Sequence, residues 1–189
     1  LGTLITTRHC MQSPYRNPSF SEEQINNLLF QSFGTSNIYW LNHGYLAGDD
    51  TDSHIDNLVR FCNPTTLAYV KCDDQQDEHY ESLLKMEEEL MKLVDIYGNA
   101  FHLVPLPWPD ACFAGDGHRL PATYANFLII NEAVILPIYN VKQDQEAVNV
   151  LTSIFPGRKI IPVLCRTLIE QHGSLHCITM QYCTARCSE

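Results

Sequence analysis

Hydrophobic and polar positions along this chain follow two periods, and the switches between them mark out its elements. Residues 1–7 alternate at period two and predict a strand. Ser21-Glu22-Glu23-Gln24 then opens an amphipathic helix with the Ser-x-x-Gln signature of a capping box, and residues 37–41 read as the next strand. Residues 55–61 and 66–71 are strand-like, residues 78–97 carry a strong helical period ended by Gly98, and residues 101–106 return to strand. Residues 124–130 and 133–139 read as a hairpin, residues 143–155 as a helix stopped by Pro156-Gly157, and residues 159–164 as a strand.

This order repeats. The helices begin near Ser21, Glu78 and Gln143, roughly sixty residues apart, with strand, strand, helix, strand as the recurring unit. Two units are complete, the first lacks its opening strand, and residues 175–182 look like the start of another. The chain is therefore expected to be α/β, built as a ring or stack of equivalent modules and cut from something longer. At 189 residues it is expected to be one domain, 1–189, incomplete at its N-terminal side. The stretch 105–121, with four prolines, is the only long irregular segment, of the kind that is often functional.

Composition narrows the partners. Twelve Lys and Arg stand against 22 Asp and Glu, a formal charge of −10. That surface repels phosphate backbones, so a nucleic-acid partner is not expected, while a small cationic substrate is compatible with it. No apolar run approaches the ~20 residues of a membrane span, so no membrane partner is expected either. A homo-oligomer is compatible with the composition. The eight cysteines, at positions 10, 62, 72, 112, 165, 177, 183 and 187, contain no CxxC pair. Several lie in apolar strand-like runs and read as buried free thiols of a cytoplasmic protein. A zinc site from His176, Cys177, Cys183 and Cys187 matches no established ligand spacing, and no metal is expected.

Two stretches carry chemistry. Residues 43–56 hold four carboxylates (Asp49, Asp50, Asp52, Asp56) and two histidines (His43, His54). If residues 52–56 are extended, Asp52, His54 and Asp56 share one face, an arrangement that suits acid/base catalysis. The competing readings are a solvated acidic loop and a calcium site, but EF-hand spacing is absent. The second stretch is Gly173-Ser174-Leu175-His176-Cys177-Ile178-Thr179-Met180, where Cys177 could be core filling, a metal ligand, a disulfide partner or a nucleophile. In a regular strand His176 points away from Cys177 and reads as structural; Asp49 and Asp52 read as loop-capping residues, and His43 stays open.

The chain resembles the agmatine deiminase family, relatives of the bacterial peptidylarginine deiminases within the guanidine-modifying superfamily. The resemblance is carried by Gly2 to Thr7 (GTLITT), Arg16-Asn17-Pro18, Asp50 to Phe61 (DTDSHIDNLVRF), Arg119 to Phe127 (RLPATYANF) and Gly173 to Gln181, in the family's order and over nearly the whole chain. It implies a pseudo-symmetric ring of ββαβ modules, the pentein-type α/β propeller, which agrees with the repeat. It also implies hydrolysis of a guanidinium to a ureido group with release of ammonia, from agmatine or, alternatively, from arginine in peptides, without metal or cofactor. Carried over by motif, Cys177 is the nucleophile, His54 the acid and base, Asp56 the ligand of the guanidinium nitrogens, and Asp50 a candidate for the substrate's far ammonium.

Family enzymes are longer at the N-terminus, and two further acidic residues of the family site fall upstream of Leu1. Leaving a buried cation without a charged partner costs about 3–5 kcal/mol, so these 189 residues alone are expected to be nearly inactive. A truncated, non-catalytic module of the same fold is the remaining alternative. The approach to Cys177 also departs from the family pattern, reading Glu170-Gln171-His172-Gly173 where glycines are usual.

Overall fold

Parallel and antiparallel pairing recur in one order, strand by strand. In the computed structural model, which describes residues 2–35 and 37–182, the first unit comprises β1 (Thr3–Thr7), a short helix α1 (Arg8–Met11), α2 (Glu22–Phe33) and β2 (Asn37–Leu41). β1 pairs parallel to β2. The second comprises β3 (Val59–Asn63), β4 (Thr66–Val70), α3 (Tyr80–Leu90) and β5 (His102–Leu106). Here β4 is central, antiparallel to β3 and parallel to β5. After a small hairpin, β6 (Cys112–Phe113) and β7 (Arg119–Leu120), the third unit repeats this with β8 (Leu128–Ile129), β9 (Ala133–Ile138), α4 (Asp144–Ile154) and β10 (Lys159–Leu164). β9 is antiparallel to β8 and parallel to β10. The ββαβ unit read from the sequence is thus present twice in full and once without its opening strand.

Local chemistry explains these elements. Ser21 caps α2 as a full capping box: its hydroxyl accepts from the Gln24 N–H, and the Gln24 side chain accepts from the Ser21 N–H. Gly34 ends the helix with φ 68°, a left-handed conformation that is strain-free only for glycine. β4 reads TLAYV and is buried along its whole length, as expected of a central strand covered on both faces. One continuous core joins the units, from Leu41 and Leu46 through Leu67, Met86 and Leu106 to Tyr124, Phe127, Leu136, Leu151 and Ile169.

The strand expected over 124–130 shortens to Leu128–Ile129, and three further expected elements are corrected. The helix expected over 78–97 ends at Leu90, because Asp95 accepts the N–H groups of Tyr97 and Asn99 and folds the next residues into a turn, with Gly98 at φ 83°. The extended reading of 52–56 fails. Asp52 and Ser53 have φ near +60° and Ile55–Asn57 is a 3₁₀ turn, so Asp52, His54 and Asp56 do not line one face, and the strand starts only at Val59. The strand expected from residue 175 is a 3₁₀ turn at His176–Ile178. The N–H of His176 donates to the Asn126 backbone and side-chain oxygens, which removes it from any strand ladder.

The arrangement has one consequence for function. The segment leading into β3 (residues 53–58), the one leading into β8 (residues 121–127) and the one that follows β10 (residues 173–179) meet through hydrogen bonds. Three parts of the chain that stand in comparable places relative to the units therefore converge.

Candidate functional site

Asn126 sits where the three segments meet. It is fully buried. Its side-chain amide donates to Asp56 Oδ2 (3.0 Å) and Asn57 Oδ1 (2.8 Å). Its oxygen accepts from the His176 N–H (2.7 Å) and lies 3.4 Å from the Cys177 nitrogen and 3.6 Å from Cys177 Sγ. Carboxylate and backbone N–H partners can take only one orientation of the amide, so the group facing the thiol is an acceptor. Neighbours hold Asn126 in turn: the Thr123 hydroxyl donates to the Asn57 carbonyl (2.9 Å) and accepts from the Ala125 N–H (3.1 Å).

His176 turns toward the site rather than away from it. Its Nδ1 is 2.7 Å from Asp56 Oδ2, a consequence of the 3₁₀ turn that replaces the expected strand. Burial raises the Asp56 pKa, but the His176 hydrogen bond and the nearby Arg60 guanidinium outweigh it and hold the carboxyl below its usual range. Arg60, at the start of β3, donates to the Phe127 carbonyl (2.8 Å) and lies 5.0 Å from the centre of the Phe127 ring. It is a half-buried cation whose field reaches both Asp56 and Cys177. Cys177 itself is exposed to solvent, yet protein atoms crowd its sulfur; this desolvation, with the negative charge of Asp56, pushes the thiol up. The resting group is thus a thiol that hydrogen-bonds to an amide oxygen.

The sequence-predicted residues separate into two sets. Cys177 and Asp56 are brought together through Asn126. His54 lies two residues before Asp56, and its Nε2 is 2.8 Å from Arg16 Nη2. Arginine has only donors, so His54 Nε2 accepts there. Asp50 is exposed on the loop between. Asp49 has the loop-capping role read from the sequence, accepting from the Thr51 N–H (3.1 Å), the Thr51 hydroxyl (2.5 Å) and the Ser53 N–H (3.1 Å). Thr7, at the end of β1, pins this loop by donating to the Ser53 carbonyl at 2.7 Å. His43 pairs instead with Glu89, Nδ1 to Oε1 2.9 Å, and takes no part. Cys10, Cys62, Cys72, Cys112 and Cys165 are free thiols, four of them buried, while Cys183 and Cys187 lie outside the described residues. Among the described residues no cluster of three His, Cys, Asp or Glu has the geometry of a metal site, and no helix is long and apolar enough to cross a membrane.

Asp56 and Arg60 line a small cavity of about 220 Å³ with Ile5, Ile55 and Val59. A larger cleft, about 610 Å³, is bordered by Lys71, Asp77, Trp108 and Lys142 and involves none of these residues. Asn126, Arg60 and Arg16 carry no role on the sequence alone, and His176 reads there as structural. All four stand inside the stretches that carry the family resemblance, so the signal was position within a motif rather than residue chemistry.

Comparison with known proteins identifies the family. The sequence model of the Porphyromonas-type peptidyl-arginine deiminase family matches residues 1–183. The chain belongs to that family. A Yersinia pseudotuberculosis protein named "putative agmatine deiminase" is 36% identical over 95% of this chain and 53% of its own length. Among solved structures, the "putative arginine deiminase" of Porphyromonas gingivalis superposes with a TM-score of 0.93 at 50% identity, covering 95% of this chain and 53% of that one. The C. jejuni agmatine deiminase with substrate bound gives a TM-score of 0.85 at 43% identity, covering 91% and 50%. The chain thus spans about half the length of the curated relatives it matches.

Proposed function

We propose that the protein containing this chain hydrolyses a guanidinium group, with agmatine as substrate and N-carbamoylputrescine and ammonia as products. The observation that carries this reading is the Asn126 hub, which ties a buried-side carboxylate, Asp56, to a solvent-accessible thiol, Cys177, across three separate segments. A guanidinium is planar and cationic, and its delocalised charge makes the central carbon a poor electrophile. The site must therefore hold the cation against a carboxylate and present a thiolate to that carbon.

The side chains present fit those tasks. Asp56 accepts from His176 and Asn126 through Oδ2, and Oδ1 takes an N–H of the substrate. The incoming cation offsets the charge of Asp56 and draws the Cys177 thiol toward thiolate, which the resting site disfavours. The thiol proton passes to His54 as Sγ bonds to the guanidinium carbon; one C–N bond breaks, and the departing nitrogen takes that proton from His54 and leaves as ammonia. The positively charged amidino thioether remains. His54 next removes a proton from water, the oxygen bonds to the same carbon, and the C–S bond breaks to return the thiol and release the ureido product. Arg16, in contact with His54 Nε2, gives way to substrate before the histidine can serve the leaving nitrogen. The modules arranged as a closed pentein ring, with residues outside this chain completing the cation site, belong to the same reading.

The test is steady-state assay of the full-length protein, scoring ammonia and ureido product together. Turnover of agmatine supports the proposal. Turnover of arginine within peptides, with agmatine untouched, would move the substrate to a peptidyl chain, and turnover of neither would remove the catalytic reading.

A further inference from the structure

The loop that carries Asp49, Asp50 and His54 is entered through a strap, Leu46-Ala47-Gly48, and two histidines from distant parts of the chain hold it. On one side the Ala47 N–H donates to His79 Nε2 at 2.8 Å. The acceptor state of that nitrogen is set from the other end of the ring, where His79 Nδ1 donates to Asp77 Oδ1 at 2.6 Å. Asp77 in turn receives Arg119 Nη2 (2.7 Å) and Trp108 Nε1 (3.0 Å), and Tyr45 stacks on the imidazole. On the other side His172 Nδ1 donates to the Gly48 carbonyl at 2.8 Å. The strap lies hard against β7: a Cβ on Gly48 would stand 2.3 Å from the Arg119 carbonyl oxygen, and Gly48 has φ 84°.

The His172 contact spans 124 positions of sequence. His172 caps the 3₁₀ turn Ile169–Gln171 with φ 62°, a left-handed conformation that glycine adopts freely and a histidine only against a penalty. Its ring is also nearly parallel to that of His118, with centroids 5.7 Å apart and planes at 19°. A side chain kept in a disfavoured backbone conformation, and aimed at a backbone carbonyl of the opposing loop, is paying for that contact. His172 stands five residues before Cys177, and Gly48 stands two before Asp50 and six before His54.

We propose that His172 is a positioning residue that latches the Cys177 segment to the Ala47–Gly48 strap, so that Asp50 keeps a fixed place relative to Cys177. For the reaction proposed above, on which this inference rests, the latch governs where Asp50 meets the substrate's far cation. It therefore acts on substrate binding more than on the chemical step.

The experiment compares the full-length protein with its His172→Gly and His172→Asn variants. Glycine suits the backbone but removes the donor. Asparagine tolerates the same φ and places an amide N–H close to where Nδ1 stood. Amide hydrogen exchange at Ala47 and Asp49 and the kinetics with agmatine are both measured. The latch predicts faster exchange in the glycine variant and a rise in KM of roughly fivefold to tenfold, the size of one lost hydrogen bond, with kcat changed much less; asparagine restores both. Wild-type exchange and kinetics in the glycine variant would overturn it, as would an asparagine variant no better than glycine. If the parent protein turns over no guanidine, the functional reading fails, while hydrogen exchange still decides whether the latch exists.

Discussion

The segments leading into β3 and into β8 stand in equivalent places in two copies of one unit, yet they are built oppositely. In the first, His54, Ile55 and Asp56 are only half-buried around a 3₁₀ turn. In the second, Thr123, Tyr124, Ala125, Asn126 and Phe127 are all fully buried and all uncharged. The pair teaches that a repeat can place two segments together and then divide labour between them. One carries the Asp56 carboxylate and the His54 imidazole, and the other supplies a neutral, hydrogen-bonded frame that fixes where the carboxylate stands. Asn126 and Asp56 are the contact between the two, at 3.0 Å.

Variants can break that division of labour, and the sharpest lies outside both segments. Cys177→Ala in the full-length protein removes the proposed nucleophile, and turnover is expected to fall at least about 10³-fold with the thermal midpoint little changed. Turnover within tenfold of the parent would take Cys177 out of the nucleophile role.

Asp56→Asn tests the charged segment alone. Loss of the carboxylate proposed to hold the substrate cation is expected to lower kcat/KM about 10²–10³-fold, since removing one partner of a hydrogen-bonded charge pair costs about 2–5 kcal/mol. The same change removes a negative charge that pushes the Cys177 thiol up, so the thiol should fall toward its ordinary range and iodoacetamide should alkylate it faster at pH 8. Slower alkylation in this variant would contradict the electrostatic account.

Asn126→Ala tests the frame. It leaves the Asp56, Asn57 and His176 groups without their shared partner, and each unsatisfied buried group costs about 1–3 kcal/mol. Unlike the two variants above, it should lower both turnover and the denaturant midpoint. Loss of activity with unchanged stability would show that Asn126 is chemistry rather than frame.

A smaller effect separates the units by pH. Burial raises the Asp77 pKa, but its hydrogen bonds from Arg119, His79 and Trp108 outweigh this and hold it well below the carboxylate range. The folded state therefore binds that proton less readily than the unfolded chain. Its stabilisation is complete above the unfolded value near 4 and is lost as pH falls further. Burial likewise makes folded His79 a weaker base, so stability starts to decline below about pH 6.5. Denaturation midpoints measured from pH 7 to pH 3 should fall more steeply in the parent than in Asp77→Asn, which starts about 1–3 kcal/mol lower at pH 7; parallel curves would rule the pair out. The smallest effect belongs to the first unit. Ser21→Ala removes the capping box of α2, worth about 1 kcal/mol, and should shift the urea midpoint without touching turnover.

The sequence by itself determined the units. Period-two strands and 3.6-period helices are local patterns, so β2, β4, β5, α4 and β10 fall within a residue or so of where alternation puts them. The capping box at Ser21 was legible because its two partners lie three residues apart. Motif resemblance also singled out Cys177, His54 and Asp56, because types and spacings survive in a linear string. Only the tertiary structure decided that Cys177 and Asp56 meet through Asn126 while His54 contacts Arg16. The turn at Ile55–Asn57 and the one at His176–Ile178 form because distant groups, the Thr7 hydroxyl and the Asn126 oxygens, take up their loops' backbone hydrogen bonds. No local period encodes such a partner, so the expected strands there gave way and His176 swung onto Asp56. Asn126 shows the limit most plainly. As a letter it is an asparagine in a buried stretch, and it becomes the centre of the site only because segments 51 and 70 positions away fold against it.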